Sequence, residues 1–239
     1  MFDPTLAAEV ALKEQERIAV ADDLSLVQAF VGVPHFLHTY PERLSWRGCQ
    51  PLDISTREGL GQLAKRYFSR YHNSDFPTLQ GGTTPDAMVG IVMQAAYGLD
   101  AQEVKRIEFG HRQAMYAENC IGALLERYLD SGLREQGWCW CCGDFVRAID
   151  FIQYQKEGRW LAVQVKNRDN SENSSSSAIR QVSKEIEIVK WFRSFSRTGS
   201  TNWGKLPHAM ANAGLNEAGF KKFAQQYLEQ ERNRRGLAT

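Results

Sequence analysis

Three polar residues stand where an apolar strand pattern leaves little room for them. Asp150 falls within Arg147-Ala148-Ile149-Asp150-Phe151-Ile152, a strand-like run in which an ionised carboxylate is costly unless it is paired or coordinated. Ten residues on begins Trp160-Leu161-Ala162-Val163-Gln164-Val165-Lys166, which puts Gln164 and Lys166 on one face of a strand and Val163 and Val165 on the other. The turn-like Gln155-Lys156-Glu157-Gly158 between the two runs predicts a hairpin, which brings Lys166 towards Asp150. An acid facing an amide and a lysine spaced one apart is a donor set for metal-dependent phosphodiester hydrolysis. The Asp150 and Gln164 side-chain oxygens and the Val165 backbone carbonyl would hold a hard cation, and Lys166 would orient or deprotonate the attacking water.

Two glutamates extend this set. Glu118 and Glu126 lie on an amphipathic helical stretch over 117–129, with Gly122 midway between them offering close approach to a strand. Eight residues are about 80° of helical rotation, so one of the two suffices to complete a metal shell and both need not point inward.

Directly after Lys166 comes a string of hydrogen-bonding side chains: Asn167, Arg168, Asp169, Asn170, Ser171, Glu172, Asn173, Ser174, Ser175, Ser176 and Ser177, followed by Arg180. Arg pairs with guanine, Asn with adenine and Asp accepts from cytosine, while serines and a helix N-terminus serve phosphates. Lys190, Arg193 and Arg197 interleave with Trp191, Phe192, Phe195 and Trp203, which suits phosphate contact and stacking as well as it suits a core. Between residues 147 and 205 there are 11 Lys plus Arg against 6 Asp plus Glu, so a chain of net charge +1 has one basic third. The string from Asn167 to Ser177, Glu172 excepted, with Arg180, Lys190, Arg193 and Arg197, forms the predicted DNA-contact set.

The elements that must position these groups follow from periodicity and punctuation. Helices are predicted over 4–20, 56–71 and from Thr84, with Thr84 as N-cap and Pro85 at the first helical position, to near Gly98. Pro34, Pro41, Gly48 and Pro51 make 33–52 read as extended loop. Residues 100–133 are the longest helical stretch, with a break expected near Gly110. Strands are expected over 138–142, 146–154 and 159–166, then a helix over 178–195, a loop over 199–207 and a charged helix over 217–234. Helices, a small sheet, then helices is an α+β or mixed α/β order in a single domain over 1–239. Within it, 1–100 is mainly helical, 101–205 holds the sheet and the recognition segment, and 206–239 is a C-terminal helix.

Composition sets the outer limits. With 43% hydrophobic and 11% aromatic residues the 239-residue chain has ample material for a core, and 29 Lys plus Arg against 28 Asp plus Glu exclude a polybasic coat or an acidic tail as its character. The apolar runs fall short of the roughly 20 residues that cross a bilayer, and five irregularly spaced cysteines do not suit a disulfide framework, so a reducing cytoplasm is expected. A zinc module on Cys139, Cys141 and Cys142, with Cys49 or a histidine, lacks a second separated ligand pair. A helical interaction protein would be marked by dispensable Asp150 and Lys166. A repair or mobile-element nuclease without sequence preference needs mainly Lys and Arg on phosphates, not the dense Asn/Arg/Asp/Ser string.

The arrangement Glu118/Glu126, Asp150, Gln164-Val165-Lys166 resembles the PD-(D/E)XK nuclease superfamily. The string from Val165 to Ser177 with Lys190-Trp191-Phe192-Arg193 looks like that of the SinI-like type II restriction endonucleases, and the likeness spans about residues 117–203. The resemblance implies a restriction-endonuclease-like core, a small central mixed sheet flanked by helices, with a helical N-terminal part. It makes Asp150 the central metal ligand, Lys166 the catalytic lysine, Gln164 the occupant of the usual acidic position and Glu118 or Glu126 the helix glutamate. It further implies Mg²⁺ dependence, 5′-phosphate products, a short and mostly symmetric double-stranded DNA target of GGWCC type, a homodimer to match that symmetry, a protecting DNA methyltransferase and a prokaryotic cytoplasm. Ile149 stands where the superfamily's name has Pro. Gln164 in place of a carboxylate removes one negative charge, so a weaker metal site, or more reliance on the helix glutamate, is expected.

Overall fold

Side-chain oxygens start the helices. In the computed structural model, which describes residues 2–18, 23–47, 51–77, 86–169 and 186–237, Asp3 accepts from the Leu6 N–H to open α1 (Pro4–Arg17) and Asp23 from Leu26 to open α2 (Leu24–Thr39). Thr56 does the same for α3 (Arg57–His72), and Asp86, accepting from Met88, opens α4 (Ala87–Tyr97). The expected cap on Thr84 is thereby corrected to Asp86, and Thr84 and Pro85 lie outside the described residues. Asp100 and Glu103 form a reciprocal capping box at the start of α5 (Ala101–Leu133). This helix runs unbroken through Gly110, where a break was expected.

Helix α2 also overturns the loop expected from residue 33. Pro34 sits inside it, and Val33, Pro34, Phe36 and Leu37 are all buried. Tertiary burial outweighs the cost of one missing N–H. Phe30 meets Tyr67 edge-on at 5.3 Å between centroids, and Phe36 meets Trp160 in the same way at 5.4 Å, so α2 joins α3 to the sheet.

The chain divides into two compact units, Met1–Ser74 with Leu125–Gln225, and Asp75–Leu124 with Gln226–Thr239. The first holds a four-stranded sheet in the order β1 (Trp138–Trp140), β2 (Phe151–Tyr154), β3 (Trp160–Arg168), β4 (Ile188–Ser194). The first three are antiparallel, and β3 and β4 run parallel. The fold is therefore mixed α+β, a small mixed sheet with a helical N-terminal part, as a restriction-endonuclease-like core requires. The short helix α6 (His208–Ala211) and the long α7 (Glu217–Arg234) close the chain.

Three further expectations are corrected. The helix over 178–195 gives way to β4 at Ile188–Ser194, and the expected residues 178–185 lie outside those described. Only Phe151–Tyr154 of the run 146–154 is strand. Residues 141–150 form a loop with positive φ at Asp144 (61°) and Ala148 (60°), tied by a Leu44–Val146 bridge and by the Arg147 N–H to the Arg43 carbonyl. Finally, a Cβ at Gly122 would meet nothing within 4 Å, so that glycine serves no close strand contact.

Candidate active site

Asp150 lies at the mouth of β2, one residue before the ladder begins, and is held on every side. Its N–H donates to the Val163 carbonyl (2.9 Å), its carbonyl accepts from the Cys141 N–H (2.8 Å), and its Oδ2 accepts from the Val165 N–H (2.6 Å). The ladder ends at Phe151↔Val163, and the Asp150 N–H bond to the same Val163 carbonyl sets residues 150 and 151 together against Val163, the neighbour of Gln164 on β3. The turn that enforces this closes with Gln155 N–H to the Arg159 carbonyl at 2.8 Å and Gly158 at φ 77°, as the hairpin expectation required.

Electrostatics at this point are unbalanced. Burial, opposed by the Val165 N–H and the Lys166 charge and reinforced by Asp144, pushes the Asp150 carboxyl up to about 6. Gln164 is 6% exposed, and its Oε1 accepts no hydrogen bond among the described residues. An orphaned buried oxygen costs on the order of 1–3 kcal/mol. A raised carboxylate held by β3 and an orphaned amide oxygen on that same strand are the kind of electrostatic deficit that a hard cation fills, so these donors fit Mg²⁺. Among the described residues no group of three His, Cys, Asp or Glu converges at metal-binding distance, so Asp150 and Gln164, with backbone oxygen, carry the fit.

The helix glutamates separate. Glu126 is half-buried on the part of α5 in the sheet's unit and accepts from Trp140 Nε1 at 2.8 Å. Both Glu126 and Asp150 act on the buried Cys141 thiol, which burial first of all drives far up. Glu118 is exposed on the part of α5 in the other unit. The carboxylate that the sequence reading did not single out is Asp144, exposed in the loop before β2 and close enough to raise the Asp150 carboxyl. Its signal was the Gly143-Asp144 pair, a common left-handed turn combination.

The predicted DNA-contact residues fall on both faces of β3 and β4. The registers Gln164↔Lys190, Lys166↔Phe192 and Arg168↔Ser194 place Arg168 and Lys190, both exposed, on the face of Gln164 and Lys166. Asn167 belongs to the opposite face, where its Oδ1 accepts from Arg193 Nε at 2.9 Å. Arg193 also pairs with Glu217 of α7 at 2.8 Å and lies over the Phe220 ring at 5.4 Å. Trp191 is 3% exposed and meets the half-buried Trp203 at a tilt, 5.1 Å between centroids, and Trp203 Nε1 donates to Glu217, so Trp191 is core and Trp203 is engaged in packing. Asp169 Oδ1 accepts from the Ser196 N–H at 2.8 Å, which ties the end of β3 to the turn after β4, and Arg197 is exposed in that turn. Asn170, Ser171, Asn173, Ser174, Ser175, Ser176, Ser177 and Arg180 lie outside the described residues. Cys139, Cys141 and Cys142 are buried free thiols. Burial raises all three, which keeps them protonated.

An acid, an amide and a lysine in this order on a hairpin, with Glu126 bonded to the sheet through Trp140, match the arrangement expected of the nuclease class. The sequence comparisons agree with that class. The model of the SinI restriction endonuclease family matches residues 7–230. The type II restriction enzyme Eco47I of Escherichia coli is 39% identical over 222 residues, covering 91% of this chain and 93% of its own length. The type II restriction enzyme SinI of Salmonella infantis is 37% identical over 227 residues, covering 93% and 94%. The chain belongs to the SinI restriction endonuclease family.

Proposed function

We propose that this chain, a type II restriction endonuclease, hydrolyses phosphodiesters of double-stranded DNA with Mg²⁺, leaves 5′-phosphates and acts at a short G/C-containing target of GGWCC type. The observation that carries the proposal is the orphaned, buried Gln164 Oε1 on β3, the strand whose Val165 N–H holds the raised Asp150 carboxyl. Asp150, Gln164 and the Val165 carbonyl would hold the ion, with Glu126, rather than Glu118, as the helix glutamate. When bound, the ion supplies Lewis acidity to the scissile phosphate and lowers the pKa of the attacking water.

The residues of the chain do the rest. The Val165 N–H fixes Asp150 so that one carboxylate oxygen is committed and the other stays available. Lys166 shares the face of Gln164 and is half-buried, which supports its ammonium as the group that would orient the attacking water and take part in its deprotonation. Arg168 and Lys190 flank this line on the same face, where phosphates of a bound duplex would lie, and the polar residues from Asn170 to Arg180 supply base contacts. Both units serve one nuclease domain in this reading. A symmetric duplex target is cut by a homodimer, and a cognate DNA methyltransferase protects the host genome in a prokaryotic cytoplasm. Among the described residues no helix is long and apolar enough to cross a membrane.

The test is cleavage of plasmid and phage DNA with Mg²⁺ or with EDTA, beside Lys166→Ala. Discrete fragments that need the metal are expected from the wild-type chain, with cleavage falling about 100- to 10,000-fold in the variant while DNA binding persists. Undiminished cleavage by Lys166→Ala would refute the assignment of the lysine.

A further inference from the structure

Residues 44–47 pass alongside the loop that leads to Asp150. Leu44 bridges Val146 in the antiparallel sense, the Ser45 N–H donates to the Phe145 carbonyl at 2.8 Å, and the Arg147 N–H donates to the Arg43 carbonyl at 2.8 Å. Buried Phe145 and Val146 anchor the loop, while Asp144 and Arg147 on either side of them are exposed. Trp46 follows the bonded Ser45 and Asp144 precedes the bonded Phe145, so in an antiparallel pairing the two leave at the same end.

The Arg66 guanidinium of α3 lies over the half-buried Trp46 ring, its Cζ 5.2 Å from the centroid. A guanidinium engaged through its face keeps its in-plane N–H fork for an anion. Arg47, Arg66 and Arg147 form no ion pair among the described residues, whereas Arg57 of the same helix pairs with Glu9 at 2.7 Å. Burial first of all, opposed by Glu42 and reinforced by Arg147, lowers the pKa of the Arg43 guanidinium, so Arg147 stands close enough to act on a second cation. Cations gathered along one loop draw an anion among them.

We propose that Arg66 on its Trp46 platform, with Arg47 and Arg147, grips backbone phosphates of the DNA strand next to the scissile one. This rests on the nuclease reading above, since it takes the strand held at Asp150 as the occupant. Three observations favour that occupant. Guanidiniums match phosphate oxygens with paired N–H donors. The segment that carries Arg47 is bonded to the same loop that ends at Asp150. All four residues belong to the compact unit that holds the sheet. The helical N-terminal part thereby contributes to substrate binding, to affinity and not to base choice. Trp46 is a positioning residue that acts through Arg66.

The experiment is fluorescence anisotropy of the full chain in EDTA with labelled duplexes of about 30 base pairs, with and without a GGACC site, between about 50 and 200 mM salt. Arg66→Ala and Arg147→Ala should each raise the dissociation constant about tenfold on both duplexes and reduce the slope of log affinity against log salt by about 0.9. The control Arg57→Ala should change neither. Arg66→Lys and Arg147→Lys keep the charge and should keep the slope. Trp46→Ala should weaken binding about threefold, and Trp46→Phe, which keeps a ring, should stay close to wild type. Affinity and slope unchanged in both alanine variants would overturn the proposal. So would a loss confined to the GGACC duplex, which marks a base contact, or a slope lost equally in the lysine variants, which marks a structural role. Plasmid cleavage separates this surface from the functional reading. Unchanged binding in the variants beside Mg²⁺-dependent cleavage by wild type removes the surface and leaves the nuclease, whereas weakened binding in the variants of a chain that never cleaves leaves the surface and removes the nuclease. A wild-type chain that binds no duplex would overturn both.

Discussion

Two aspartates in the sheet's unit are raised by burial, and their surroundings differ in one respect. Asp130 of α5, 3% exposed, is bonded by Arg134 through Nε (3.3 Å) and Nη2, while Arg134 also reaches Asp23 Oδ2 at 3.0 Å and the Tyr71 hydroxyl. Asp150 has one N–H, a lysine on the neighbouring strand and a second acid, Asp144, working against it, and on that same strand Gln164 Oε1 has no donor among the described residues. The first acid completes a network and clamps α5 to the start of α2. The second is left short of positive charge. Burial alone therefore does not mark a site; burial with incomplete compensation does.

The largest contrast expected is in chemistry. Asp150→Asn should reduce Mg²⁺-dependent cleavage more than about 1000-fold, whereas Asp130→Ala should leave the activity of its folded fraction intact. Stability should run the other way. Removing one partner of a buried ion pair costs about 3–5 kcal/mol, so urea unfolding should show Asp130→Ala weakened by that amount. Asp150→Asn should stabilise the metal-free chain by on the order of 2 kcal/mol at pH 8. The sign follows from the raised carboxyl: the folded state binds the proton more tightly, so the penalty is absent below about pH 4, grows as pH rises to about 6 and is full above it. The gain should vanish near pH 4, and a variant no more stable than wild type at pH 8 would contradict the imbalance.

A smaller pair of effects separates the two faces of β3 and β4. Arg193→Ala, on the face that meets α7, should lower stability by about 1–3 kcal/mol through its bonds to Glu217 and Asn167. Arg168→Ala, on the site's face, should leave the melting temperature nearly unchanged and relax target recognition, read by comparing cleavage of cognate and near-cognate duplexes. Smallest of all, Gln164→Glu restores a charge and should lower the Mg²⁺ concentration for half-maximal cleavage by about tenfold. A higher requirement would mean that the amide does not face the ion.

The hairpin and its three polar residues were legible in the sequence because the information is local: a period of two, a four-residue turn and a glycine at its end. Strand β4 was not, because its partner is β3, reached across a long connection, and Lys190, Arg193 and Arg197 imitate a charged helix face. The alternation in Glu185-Ile186-Glu187-Ile188 was the strand signal available. Helix α2 was hidden behind Pro34, whose ring lies among buried neighbours that only the tertiary structure supplies. The orphaned state of Gln164 Oε1 and the reach of Asp144 to Asp150 are properties of the fold and have no trace in residue order.

The central claim is that the under-compensated aspartate is the cation site. Titration of the full chain with Mn²⁺, with the free ion read by electron paramagnetic resonance, tests it most directly when wild type is set beside Asp150→Asn and Lys166→Ala. The account predicts binding by wild type and Lys166→Ala, and affinity at least tenfold weaker in a folded Asp150→Asn. Equal affinity in wild type and Asp150→Asn would place the cation elsewhere and contradict the account.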